Sequence, residues 1–285
     1  MRNIRVVIND LNPFGNRLMD YREAFNPLPS MPAEGMRIVS SEVLPPLLQA
    51  LEARGLHVAI GRDLGTVAQL HHASGGRMKR LIQTNDPRFH PGASSADTMV
   101  LVLMRGGIPQ GCVASRLLWC ESNLSAEMES GRFWVTNPAT MWTTDDRCIV
   151  RAGIAEAIRA CHVVFTGSIY LAQEVTGGET LAALLRLHHL WVLCHWRWSW
   201  WLGIIEGALA RRHIFDVYGA TAMHLGLWRT RPGEGSALHK YELGSTSREA
   251  AMEGMLRPEM GDLARPMGRP PASLLSFADR EGREL

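Results

Sequence analysis

The chain of 285 residues lacks the short signatures that name a chemistry outright. It has no GxGxxG after its first apolar run and no GxxxxGK(S/T), which removes the dinucleotide-binding and P-loop versions of an α/β fold. It has no HExxH and no CxxC pair, so the common zinc arrangements are missing and no metal is expected. Its five cysteines, Cys112, Cys120, Cys148, Cys161 and Cys194, are odd in number and widely spaced. That excludes a disulfide framework and leaves them as small buried residues. Basic and acidic residues number 30 and 28 and are mixed along the chain, with no dense basic block. A nucleic-acid partner is therefore not expected. No long apolar run occurs either. The most apolar stretch, Leu181 to Ile205, is broken by Arg186, His188, His189, His195 and Arg197, so no membrane span is expected. The first fifteen residues have neither a signal peptide's apolar core nor a small-residue cleavage site, and read instead as a first strand over Ile4–Ile8. The expected location is cytoplasmic.

What is present is a globular composition, 46% hydrophobic and 20% charged. Pro45 and Pro46 suit the first turn of a helix whose apolar face is Leu47, Leu48 and Leu51, stopped by Gly55. Leu56–Ile60 reads as a strand and Leu64–Ala73 as a short helix. Thr98–Met104 and Cys112–Trp119 are apolar strand patterns joined by three glycines and a proline, a hairpin with its tip near Gly106–Gly107. Arg151–Ala160 reads as a short helix. Val163–Leu171 is a long strand, followed by a turn over Gln173–Gly178 and a strong helix over Glu179–Cys194. Leu202–Glu206 is then a strand, Ala208–Val217 a helix capped by Gly219, and Ala222–Trp228 a last strand. Beyond Arg229 the chain reads as a surface arm with one helix near Ser247–Leu256.

Two features of the second half carry chemistry. Gly177 and Gly178 lack Cβ atoms and stand where a helix begins, so backbone N–H groups without helical partners could receive an anion closely. The plain alternative is ordinary turn chemistry. The run Trp191, Trp196, Trp198, Trp200, Trp201 is either core beneath a helix–strand junction or a surface for an acyl chain, an aromatic substrate or another subunit.

The order hairpin, helix, long strand, glycine turn, helix, strand, helix, strand resembles the GNAT superfamily of acyl-coenzyme A-dependent N-acetyltransferases over about Thr98 to Trp228. The text IYLAQEVTGGETL, Ile169 to Leu181, is similar to that family's Q/R-x-x-G-x-G/A turn, whose backbone receives the coenzyme A pyrophosphate. It departs from it in having Glu174, Thr176 and Glu179 where the family has Gln or Arg, Arg, and a small residue. The text IFDVYGA, Ile214 to Ala220, is similar to the family's L-Y-E-K-x-G-F helix end, with Phe215 in place of the tyrosine that can protonate the leaving thiolate.

The resemblance implies a mixed central sheet flanked by helices, an acyl-CoA N-acyltransferase-like α/β fold with an N-terminal extension. The expected division is 1–96 as the extension, 97–228 as the acyltransferase-like domain and 229–285 as a C-terminal arm. It implies acetyl-CoA or another acyl-CoA as co-substrate, held by Leu171, Ala172, Thr176, Gly177, Gly178, Glu179 and Thr180. Tyr218, three residues along the helix from Phe215, is the candidate acid. Glu206 is the candidate base, with Glu174 and His162 behind it. The partner is a small-molecule or peptide amine acceptor, and a homodimer is open. The rival function is a non-catalytic acyl-CoA-binding or protein-interaction module on the same fold.

Overall fold

The computed structural model describes residues 18–25, 32–75, 78, 81–206, 220–231 and 234–255. The strand expected over Ile4–Ile8 and the helix expected over Ala208–Val217 lie outside the described residues, as do Phe215, Tyr218 and Gly219.

The expected hairpin is the centre of construction. β3 (Thr98–Arg105) and β4 (Ile108–Asn123) follow β1 (Leu18–Asp20) and β2 (His57–Gly61), and turn at Gly106 and Gly107, with φ of 55° and 79°. That left-handed backbone is where glycine costs least. β5 (Cys148–Val150) is short, and β6 (Arg159–Leu171) is long. The helix expected up to Ala160 ends at Ala157, because the β-branched run following it takes Arg159 and Ala160 into the strand.

β7 (Trp200–Glu206), β8 (Ala222–Thr230) and β9 (Leu238–Ser247) complete one sheet in the order β1-β2-β3-β4-β6-β7-β9-β8-β5. It takes strands from all three stretches, 1–96, 97–228 and 229–285. β8 is not the last strand: β9 follows it in sequence and slips between β7 and β8, pairing antiparallel with both. Every neighbouring pair is antiparallel except β6 with β7. A parallel pair needs a crossover. Here it is the longest described helix, over Gly178–His195.

The helices among the described residues are α1 (Tyr21–Ala24), α2 (Ala33–Ile38), α3 (Leu44–Glu52), α4 (Leu64–Ala73), α5 (Leu124–Glu129), α6 (Pro138–Met141), α7 (Gly153–Ala157), α8 (Gly178–His195) and α9 (Arg248–Met255). A π-helical turn, Val39–Val43, joins α2 to α3. On one face of the sheet α3, α8 and α9 cover Leu101, Val113, Val164 and Ile205. On the other, α5 and α7 with Phe133 and Trp134 cover Val163, Phe165 and Leu202. α4 packs against Val100, Val102 and Ala114. α8 is apolar nearly all round and is buried from Ala182 to Cys194, as a helix of that composition must be. Trp191, Trp196, Trp198 and Trp201 belong to the same cluster and are core, while Trp200 is half-buried on the opposite face.

Four buried polar groups tie α8 to the sheet. Ser115 Oγ of β4 lies 2.6 Å from Thr166 Oγ1 of β6 and 2.7 Å from His188 Nε2 of α8, and Trp201 Nε1 of β7 donates to Thr166 Oγ1 at 2.8 Å. Burial, then the neighbouring His189, pushes His188 well below the ordinary histidine range. It therefore serves the network as a neutral ring.

Candidate active site

β6 and β7 are paired from Val163 with Trp200 to Thr166 with Gly203, and there the ladder ends. β7 continues to Glu206 on β9, while β6 continues to Leu171 on β4. The two parallel strands thus part, and β6 has no strand on its β7 side over Gly167–Leu171 among the described residues.

The parting point is irregular. Ser168 has φ of 52°, and the β4–β6 register shifts between Cys112 and Ala114, so two β6 residues oppose one β4 residue there. A bulge of this kind bends a strand and re-aims its backbone. Gly167 is closely approached at this place: a Cβ there would lie 3.1 Å from Ile82 Cδ1 and 3.3 Å from Asn85 Nδ2. Asn85 Nδ2 donates to Ser168 Oγ at 3.4 Å, so the turn Gln83–Asn85 rests on the bulge. Cys112 Sγ donates to the Ser168 carbonyl at 3.5 Å, and burial pushes its pKa up to about 12. At neutral pH it is a protonated thiol and no nucleophile.

From Leu171 the chain enters a tight connection. Ala172 N–H donates to the Gln110 carbonyl at 2.7 Å, and Thr176 donates through N–H to Gln173 and through Oγ1 to the Ala172 carbonyl. These donors are already engaged by the protein. α8 then begins with Gly177 as N-cap and no side chain capping it. The first N–H groups of a helix have no intrahelical partners, and the dipole gives that end partial positive charge. Gly177, Gly178 and Glu179 are exposed and Thr180 is buried.

Neither glycine is there for unusual backbone. Gly177 has φ of −179°, which any residue adopts, and Gly178 is the first helical residue. What distinguishes both is the space around them, since an added Cβ would meet nothing within 4 Å. Glu179 is ion-paired with Arg54, which offsets the negative charge beside the helix end.

The other candidates are spread out. His162 is exposed near the start of β6, in an edge-to-face contact with Trp119. Nine residues of strand, about 30 Å, separate it from Leu171. Glu206 is exposed at the end of β7 and ion-paired with Arg231. Arg231 also donates through Nε to Tyr241 Oη at 3.1 Å, and Tyr241 stands opposite Glu206 on β9. Arg231, Tyr241, Ser168 and Asn85 were not singled out from sequence. Tyr241 could have been found only by recognising β9, and Ser168 only by anticipating a bulge. Among the described residues no cluster of three or more His, Cys, Asp or Glu could hold a metal.

A search with protein-family models returns no match, and no curated protein matches the chain. Solved structures do. One is an acetyltransferase of the GNAT family from Streptococcus pneumoniae, with 11% identity, 67% of this chain and 98% of that one covered, and a TM-score of 0.37. Another is Mycobacterium smegmatis RimJ in complex with CoA-disulfide, with 11% identity, 79% and 90% covered, and a TM-score of 0.36. A third is the aminoglycoside acetyltransferase AAC(6')-Ib in complex with coenzyme A and kanamycin, with 12% identity, 68% and 96% covered, and a TM-score of 0.36. The chain weakly resembles GNAT-family structures. Its own architecture is a mixed sheet flanked by helices, and among the described residues no helix is long and apolar enough to cross a membrane.

Proposed function

We propose that the chain binds an acyl-coenzyme A between β6 and β7 and transfers its acyl group to an amine. The observation that carries this reading is the parting of the two parallel strands after Thr166 and Gly203, with the uncapped start of α8 directly beyond the parted strand. The backbone N–H groups of Gly177–Thr180 would receive the pyrophosphate. The backbone of Ser168–Leu171, free of a strand on that side among the described residues, would hold the pantetheine arm and polarise the thioester carbonyl. Leu171, Ala172 and Thr176 shape the connection, the last two through the internal bonds already described.

In the reaction the amine nitrogen attacks the carbonyl carbon, a C–N bond forms and the C–S bond breaks. The amine's proton goes to a base and the departing sulfur takes one from an acid. Glu206, directly or through a water, is the proposed base, and Tyr218 the proposed acid. The co-substrate is acetyl-CoA or a longer acyl-CoA, and the acceptor is a small-molecule or peptide amine.

Glu206's ion pair with Arg231 favours a second reading, a site that binds acyl-CoA without turning it over. Release of free thiol from acetyl-CoA, measured across a panel of amines, separates the two. On the enzyme reading thiol release depends on amine, and Tyr218→Phe lowers turnover about ten-fold with coenzyme A affinity unchanged. Binding without amine-dependent thiol release supports the second reading. Full turnover in the variant removes Tyr218 from the mechanism.

A further inference from the structure

Ser168 stands two residues past the last rung that β6 shares with β7, and it is half-buried. Its φ of 52° lies in the left-handed region, which costs a residue with a Cβ more than it costs glycine. A side chain kept in such backbone is held there by its surroundings, and such places cluster at functional sites. Two contacts hold this one. Cys112 Sγ donates to the Ser168 carbonyl at 3.5 Å, and Asn85 Nδ2 lies 3.4 Å from Ser168 Oγ.

The second contact decides how the serine hydroxyl is used. Asn85 is fully buried, and its Nδ2 also lies 3.5 Å from the Ala114 carbonyl. A carbonyl only accepts, so this is the donor end of the amide, and Ser168 Oγ accepts from it. The proton of the Ser168 hydroxyl is then left over, and among the described residues no acceptor takes it. Over Gly167–Leu171 β6 has no strand on its β7 side among the described residues, so this half-buried hydroxyl borders the space between the parted strands.

We propose that Ser168 is a further catalytic residue, whose hydroxyl donates a hydrogen bond to the thioester oxygen; the role rests on the acyl-transfer reading above. When the amine nitrogen adds to the carbonyl carbon, the C=O electron pair moves onto oxygen. The hydroxyl receives that negative charge in a hydrogen bond and keeps its own proton. As the C–S bond breaks, the pair returns and the new amide carbonyl forms. A donor already oriented acts most where charge develops, so its effect falls on kcat and not on binding. Coenzyme A without an acyl group has no such oxygen, and its affinity does not register the hydroxyl.

Steady-state thiol release from acetyl-CoA in the presence of amine, beside calorimetric titration with coenzyme A and melting curves, tests the role in the full chain. Ser168→Ala and Ser168→Gly each lower kcat at least about ten-fold, as loss of an oxyanion donor does. Both keep the KM for acetyl-CoA and the affinity for coenzyme A within about two-fold of the parent, the pattern of a contact made only in the transition state. Ser168→Gly melts no lower than the parent, because glycine relieves the left-handed backbone, so its lost turnover is not lost fold. Parent-like kcat in either variant overturns the role and leaves the acyl-transfer reading standing. A fall in kcat matched by an equal fall in coenzyme A affinity in both variants also overturns it, and makes Ser168 a support of the bulge. No amine-dependent thiol release in the parent overturns the acyl-transfer reading and this role with it.

Discussion

At the scale of residues, space rather than backbone strain makes the start of α8 fit for an anion. Gly177 sits in extended backbone with nothing near its missing Cβ. Gly177→Val should therefore leave the melting temperature nearly unchanged while weakening coenzyme A at least about ten-fold, through bulk at the anion's approach. Calorimetric titration beside a melting curve checks both halves. A parallel loss of stability and affinity would make the glycine structural. Glu179 belongs to the same surface, and its ion pair with Arg54 is solvent-exposed, so Glu179→Gln should change stability by less than about 1 kcal/mol. The same substitution should leave coenzyme A affinity equal or higher, since it removes a negative charge. The missing Cβ atoms at Gly177 and Gly178 were legible in the sequence, whereas the extended backbone of Gly177 was not, because φ cannot be read from residue type.

At the scale of elements, legibility followed local pattern. α8 was readable because its apolar residues dominate from Leu181 to Cys194 despite Arg186, His188 and His189, and the β3–β4 hairpin because Gly106 and Gly107 mark the reversal. β6 was readable from its apolar run, but its bulge was not, since Ser168 takes left-handed backbone for reasons that lie in Asn85 and β4. β9 was missed because Leu238–Ser247 is mostly polar and small, and because it pairs with β7, out of chain order. The parting of Val163–Leu171 from Leu202–Glu206 begins one rung above the buried quartet of Ser115, Thr166, His188 and Trp201. That quartet joins three strands and α8 at the last shared rungs. Ser115→Ala should cost about 2–3 kcal/mol, because it leaves buried partners unsatisfied rather than merely removing one bond. Denaturant unfolding measures it, and a cost below about 0.5 kcal/mol would show that the quartet contributes little.

At the scale of the whole molecule, buried histidines set the response to acid. His90 donates through Nε2 to the Trp134 carbonyl at 2.8 Å, and its Nδ1 shares a hydrogen bond with Thr136 Oγ1 at 2.9 Å. Burial, followed by the charge of Arg116, lowers its pKa from 6.5 to about 4, and burial lowers His189 to about 4. Between about 4 and 6.5 the unfolded chain binds protons that the folded chain refuses, so stability rises with pH across that window. The melting temperature should be level above about pH 7 and fall steadily from pH 6.5 toward 4, with a shallower fall in His90→Gln. A flat profile down to pH 4 would mean that these rings are protonated in the folded protein.

The central claim is that coenzyme A lies between β6 and β7 with its pyrophosphate on the start of α8. Backbone amide NMR during titration with coenzyme A tests it most directly. The account predicts the largest shifts at Gly177–Thr180, followed by Ser168–Leu171, and small ones around His162 at the far end of β6. No binding at millimolar coenzyme A, or shifts that leave Gly177–Thr180 untouched, would contradict it.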